Sequence, residues 1–136
     1  MTKEFWINLP VKSTAKSKAF FASLGFSFNE QRSNDVMLCM IVGEKKLYVN
    51  MFVEPMFKGF VQHEITDTNK STEVLFSIDA ETREEVDAFA KKAEAAGGIV
   101  FGKPSDVQGW MYGCGFTDLD GHRWNVLYMD MSKMPK

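Results

Sequence analysis

The side-chain period of this chain switches from two to 3.6 and back, and does so twice in the same order. From Lys3 to Val11 the residues alternate, with Phe5, Ile7, Leu9 and Val11 on one face and Trp6, Asn8 and Pro10 on the other. That pattern predicts a half-buried strand. A helix is expected over Ala15–Leu24, capped by Ser13 or Thr14, striped by Phe20, Phe21 and Leu24, and stopped by Gly25. Phe26–Gln31, Val36–Val42 and Leu47–Val53 then read as three strands. The second run repeats the order. Thr72–Ile78 reads as a strand, and Thr82 with Glu85 forms a capping box. Val86, Phe89, Ala90 and Ala93 follow at helical spacing up to Gly97 and Gly98. Strands at Ile99–Lys103, Trp110–Phe116 and Arg123–Tyr128 complete the run. A repeated supersecondary unit of this kind predicts an α+β domain of two βαβββ modules, residues 3–54 and 71–130.

Between the modules, residues 55–70 break the pattern. Pro55 to Val61 suits one or two helical turns, and the rest is polar. The segment reads as a linker or a flap, and Met56, Phe57 and Phe60 are expected either to pack on the core, the favoured reading, or to cover a pocket.

Composition narrows the function classes. With 136 residues the chain suits a single domain spanning 1–136. Lys plus Arg number 16 and Asp plus Glu 18, a net charge of −2, so there is no basic field for nucleic acid. No stretch approaches the roughly 20 apolar residues of a membrane helix, and the start lacks the apolar run of a signal peptide. Cys39 and Cys114 are far apart in sequence and belong to no CxxC, which suits two buried thiols in a reducing cytoplasm. The expectation is a cytoplasmic protein with neither nucleic acid nor membrane as partner.

Polar residues set into apolar strands mark a site. Asp118-Leu-Asp-Gly121 is a turn signal between two strands rich in aromatic and apolar residues. In the second of these, Trp124, Val126 and Tyr128 share one face, and Arg123, Asn125 and Leu127 the other. Asn125 therefore needs a partner or a cavity. Asn50, between Tyr48 and Phe52 on one strand face, repeats the arrangement. On the strand opening the second module, Glu73 shares a face with Leu75 and Ser77.

The chain resembles the vicinal oxygen chelate superfamily, the glyoxalase/bleomycin resistance/dioxygenase family. Asn8-Leu-Pro-Val11, Ser17-Lys-Ala-Phe-Phe21 and Leu24-Gly-Phe26 look like its first strand and helix. Asp118-Leu-Asp-Gly-His122 looks like its turn before the last strand. Lys70-Ser-Thr-Glu-Val74, Gly97-Gly98 and Met111-Tyr-Gly113 are similar to a branch labelled glyoxalase-like or predicted lactoylglutathione lyase. The resemblance implies a cup-shaped mixed sheet built from the two modules. It also implies a homodimer, and in metal-using members a divalent metal held on four strands. Those ligand positions fall, to within a residue or two, on Trp6, Asn50, Glu73 and Asn125. Indole has no lone pair to offer a metal, and Asn offers only a neutral carbonyl. Nickel, zinc or iron sites want imidazole, thiolate or several carboxylates.

The expectation is therefore a binder of small molecules with no metal and no other cofactor. Trp6, Tyr48, Phe52, Trp110 and Tyr112 are its expected stacking surface, and Asn8, Asn50, Glu73, Arg123 and Asn125 its polar handles. Trp6, Asn50, Glu73 and Asn125 are expected to line one cavity, with Arg123 pairing with Glu73. Two alternatives stand beside this reading. One is a metal-dependent enzyme, a glutathione-linked lyase or an extradiol-type dioxygenase, in which Glu73 is the catalytic base. The other is an interaction subunit with no small ligand.

Overall fold

A computed structural model describes residues 1–135. The chain divides into two compact units, Met1–Asp67 and Thr68–Lys136, and each has the expected module order.

In the first unit, β1 (Trp6–Val11) leads into α1 (Thr14–Ser23). β2 (Ser27–Phe28), β3 (Met37–Val42) and β4 (Leu47–Val53) follow. The sheet order is β1-β4-β3-β2, with β1 parallel to β4 and the other pairs antiparallel. Ser13 caps α1, accepting from the Lys16 amide at 3.2 Å. At the other end Gly25, at φ 99°, turns the chain so that the Phe26 amide reaches the Phe21 carbonyl at 3.1 Å. Phe20 and Phe21 of α1 are buried with Leu9, Val11, Leu38, Met40, Val49 and Met51, which make up one face of the sheet. The opposite face carries Trp6, Asn8, Tyr48 and Asn50.

Two expectations for this unit change. The strand expected over Phe26–Gln31 shrinks to two residues, because the chain bends into a short 3-10 turn, Glu30–Arg32. The 55–70 segment opens with α2 (Glu54–Val61), which packs near β1 and β4 but buries none of its residues. Phe60 stands edge-on to Phe52 with ring centroids 5.0 Å apart, yet is 61% exposed. Its apolar side chains therefore do not join the core. They lie beside the face that Phe52 shares with Asn50.

The second unit runs β5 (Leu75–Asp79), α3 (Arg83–Ala95), β6 (Ile99–Val107), β7 (Met111–Thr117) and β8 (Arg123–Met129). Its sheet order is β5-β8-β7-β6, with β5 parallel to β8, the same arrangement as in the first unit. Thr82 caps α3 by accepting from the Glu85 amide at 3.1 Å. The core sets Val86, Ala90 and Ala93 of α3 against Phe76, Phe116, Trp124 and Val126. β6 continues past the expected strand end at Lys103, through Pro104 to Val107. It does so by slipping register against β7 on both sides of Gly102. Such bulges let Pro104 sit in an edge strand without breaking it.

Among the described residues, no helix is long and apolar enough to cross a membrane. Cys39 and Cys114 are free and buried.

Candidate functional site

In each unit the face opposite the core helix carries a polar pair at the junction of its two parallel strands. In the first unit Asn8 and Asn50 are register partners on β1 and β4. Asn50 Nδ2 donates to Asn8 Oδ1 at 3.2 Å. Asn50 is 3% exposed, and its own Oδ1 has no hydrogen-bond partner. Leaving a buried carbonyl unmade costs about 1–3 kcal/mol. Trp6 and Tyr48 are the next register pair toward the strand starts, and Phe52 lies beyond Asn50 on the same side. Trp6 is 44% exposed. The Arg32 guanidinium lies over the Tyr48 ring, 5.8 Å from its centroid. Trp6, Asn8, Tyr48, Asn50 and Phe52 thus share one sheet face, as the alternation predicts.

Cys39 is the antiparallel partner of Asn50 on β3, so it occupies the same face. Burial pushes its thiol above the ordinary value, with Arg32 pulling slightly the other way. It is a structural thiol rather than a reactive one.

In the second unit Asn125 of β8 and Ser77 of β5 are register partners, and Asn125 Nδ2 donates to Ser77 Oγ at 3.4 Å. Arg123 is two residues away on the same face. Its guanidinium lies over the Phe101 ring, 4.4 Å from the centroid. Phe101 fits because its neighbour on β7 is Gly115, the register partner of Asn125. A Cβ on Gly115 would come within 2.6 Å of that ring.

Three sequence-predicted residues are elsewhere. Glu73 precedes β5, whose ladder starts only at Leu75, so it is exposed and outside the register. Its expected partner Arg123 is on Phe101 instead. Tyr112 is on the helix-packed face, where its hydroxyl donates to Asp87 of α3 at 2.7 Å. The reason is parity: its register partner is Tyr128, and Cys114 and Phe116 of the same parity are buried. Trp110 occupies the turn between β6 and β7, with its indole N–H 3.4 Å from Gln108 Oε1. Phe101 was not among the expected residues. Gly115 makes room for its ring, but the bulges at Gly102 that bring it there have no signal in the sequence.

The turn that orients β8 is built around Asp118. Its Oδ1 accepts from the amides of Asp120 and His122 at 3.0 Å each, and its Oδ2 accepts from Trp124 Nε1 at 3.1 Å. Burial raises its pKa, opposed by His122 and by these donors. Gly121, at φ 81°, has no room for a side chain because Thr68, which donates to the Asp120 carbonyl at 2.6 Å, fills the space.

These faces and this turn coincide with a family model, that of the Glyoxalase/Bleomycin resistance protein/Dioxygenase superfamily, which matches residues 5–126. The chain belongs to this superfamily. Among solved structures, hypothetical protein SA1046 from S. aureus is similar at 34% identity, with 94% of each chain covered and a TM-score of 0.83. A glyoxalase/bleomycin resistance protein/dioxygenase family enzyme from Burkholderia phytofirmans PsJN has the fold at 17% identity. It covers 91% of this chain and 96% of that one, with a TM-score of 0.78. The genomically encoded fosfomycin resistance protein FosX from Listeria monocytogenes was solved with Mn(II) and sulfate ion. It is 18% identical, with 95% and 91% of the chains covered and a TM-score of 0.67. No curated protein matches the chain.

Within the superfamily the metal-ligand positions are the test of cofactor fit. Of the four positions that the resemblance implies, Trp6 is a donor only, and Asn50 offers one neutral carbonyl oxygen, its Oδ1. Asn125 is held to Ser77, and Glu73 is outside the strand. Among the described residues, no group of three or more His, Cys, Asp or Glu is placed to hold a metal ion. This donor set does not fit a divalent transition metal.

Proposed function

We propose that this superfamily member binds small molecules without metal and without chemistry, each unit using its own face, that of Asn8–Asn50 in the first and that of Ser77–Asn125 in the second. The observation that carries the reading is the buried, unpartnered Oδ1 of Asn50, at a position where the family resemblance implies a ligand in metal-using members. A neutral amide there is a poor metal donor but a good hydrogen-bond acceptor for a ligand N–H or O–H. Trp6, Tyr48 and Phe52 supply flat apolar area around it, and Phe60 of α2 extends that area. Such a lining suits a ligand with an aromatic or apolar body and one or two polar handles. The working assembly is a two-fold homodimer, supported by the open sheet edges at β2 and β6 and by exposed apolar side chains such as Phe5 and Ile99.

The test is a thermal-shift screen of thiol conjugates, aromatic antibiotics and catechols, run with chelator and with added divalent metals. The reading expects at least one aromatic compound to raise the midpoint by about 5 °C at saturating concentration, with chelator present. Stabilisation that requires added metal would favour the lyase or dioxygenase alternative instead.

A further inference from the structure

We propose that the ligand of the second unit's face carries an anionic group, a carboxylate or its equivalent, and that Arg123 is the residue that selects it. This rests on the binding reading above and deepens it. Arg123 is half-buried on the face of β8 opposite α3, two residues from Asn125. No carboxylate pairs with it among the described residues, and its guanidinium lies over the Phe101 ring. The other arginine of this unit, Arg83, is neutralised by Asp106 at 3.0 Å. A ring contact uses none of the five N–H donors of the guanidinium.

The surroundings are built to hold the cation still. Phe101 lies in the gap left by Gly115, which makes room for the platform beneath Arg123. Beside it, the Asn125–Ser77 pair supplies further hydrogen-bonding groups. Around these, Leu75, Ile99 and Phe101 are exposed. The face therefore offers an apolar bed with one fixed cation and one amide–hydroxyl pair. A planar carboxylate matches the guanidinium fork, with its aromatic body over the apolar bed.

Benzoate and benzamide are the probes, since they share size and shape and differ in charge. Binding is followed by two-dimensional amide NMR on the full chain in chelator, at two salt concentrations. The expected result is that benzoate shifts the resonances of Ser77, Phe101, Arg123 and Asn125, and binds roughly tenfold more tightly than benzamide. That preference should shrink at high salt. Arg123→Gln should abolish it while leaving the fold and the thermal midpoint intact, and Arg123→Lys should restore part of it. Equal binding of the two probes, or a preference that survives Arg123→Gln, overturns this inference and leaves the broader binding reading in place. Shifts on this face that follow protein concentration alone, with no response to either probe, assign it to a second copy of the chain and also overturn the inference. No response from any compound of the wider screen removes both.

Discussion

Trp124 donates its indole N–H to the Asp118 carboxylate at 3.1 Å, and so ties the last turn to the core of the second unit. Trp124 is 1% exposed and stacks with Phe116, centroids 6.5 Å apart and planes within 7°. Trp124→Ala should therefore cost about 3–5 kcal/mol in urea unfolding. Asp118→Ala, which strands three N–H donors at once, should cost about 2–4 kcal/mol. A loss below 1 kcal/mol for either would show that the turn is held by other contacts.

Asn50 predicts the opposite sign. Because its Oδ1 is buried without a partner, Asn50→Leu should stabilise the chain by about 1 kcal/mol, while reducing the response to ligands. Asn8, the residue left behind, is exposed and can turn to water. Urea midpoints and the thermal-shift response read the two effects separately. A clear loss of stability would mean that the folded chain satisfies the Asn50 amide after all.

Gly115→Ala tests the seat of Phe101. The new Cβ meets the ring, so the variant should lose about 1–3 kcal/mol and move Phe101 off Arg123. Chemical shifts of the Phe101 ring protons, which the Arg123 cation perturbs, give the readout. Unchanged ring shifts would contradict the packing described.

The thiols give a pH dependence. Burial, with Asp87 adding to it, pushes Cys114 from the ordinary 9.0 up to about 11. The folded chain then holds the thiol proton more tightly than the unfolded chain. The corresponding stability is complete below about pH 9 and is lost as pH rises toward about 11. Cys39 shifts in the same direction, so the control is Cys114→Ser, in which the fall over that window should be shallower. In native protein at pH 8 both thiols should react slowly with a disulfide reagent, and quickly once urea is added.

Much of the fold was legible because period and punctuation agreed. Thr82 with Glu85, Gly25 and Gly97 marked helix ends that the structure keeps, and alternation put Asn50 and Asn125 on the faces they occupy. Legibility stopped where the residues do not encode tertiary partners. Glu73 alternates correctly with Leu75 and Ser77, but whether a ladder extends to it depends on the length of its neighbour β8, which starts opposite Leu75. Tyr112 could have been placed correctly. Gly113 and Gly115 leave the middle of one face of β7 without side chains, which favours the face of Tyr112, Cys114 and Phe116 as the one packed on α3. Phe101 depended on bulges at Gly102, which no local pattern announced.

Asn50 and Asn125 put neutral amides at two of the positions where the resemblance implies metal ligands, and the proposed metal-free binding rests on them. The direct measurement is the metal content of the chain, purified without chelator and without a nickel column, by mass spectrometry of the elements. The account predicts no stoichiometric manganese, iron, nickel or zinc. One equivalent of any of them per chain, lost together with ligand binding on chelation, would contradict it.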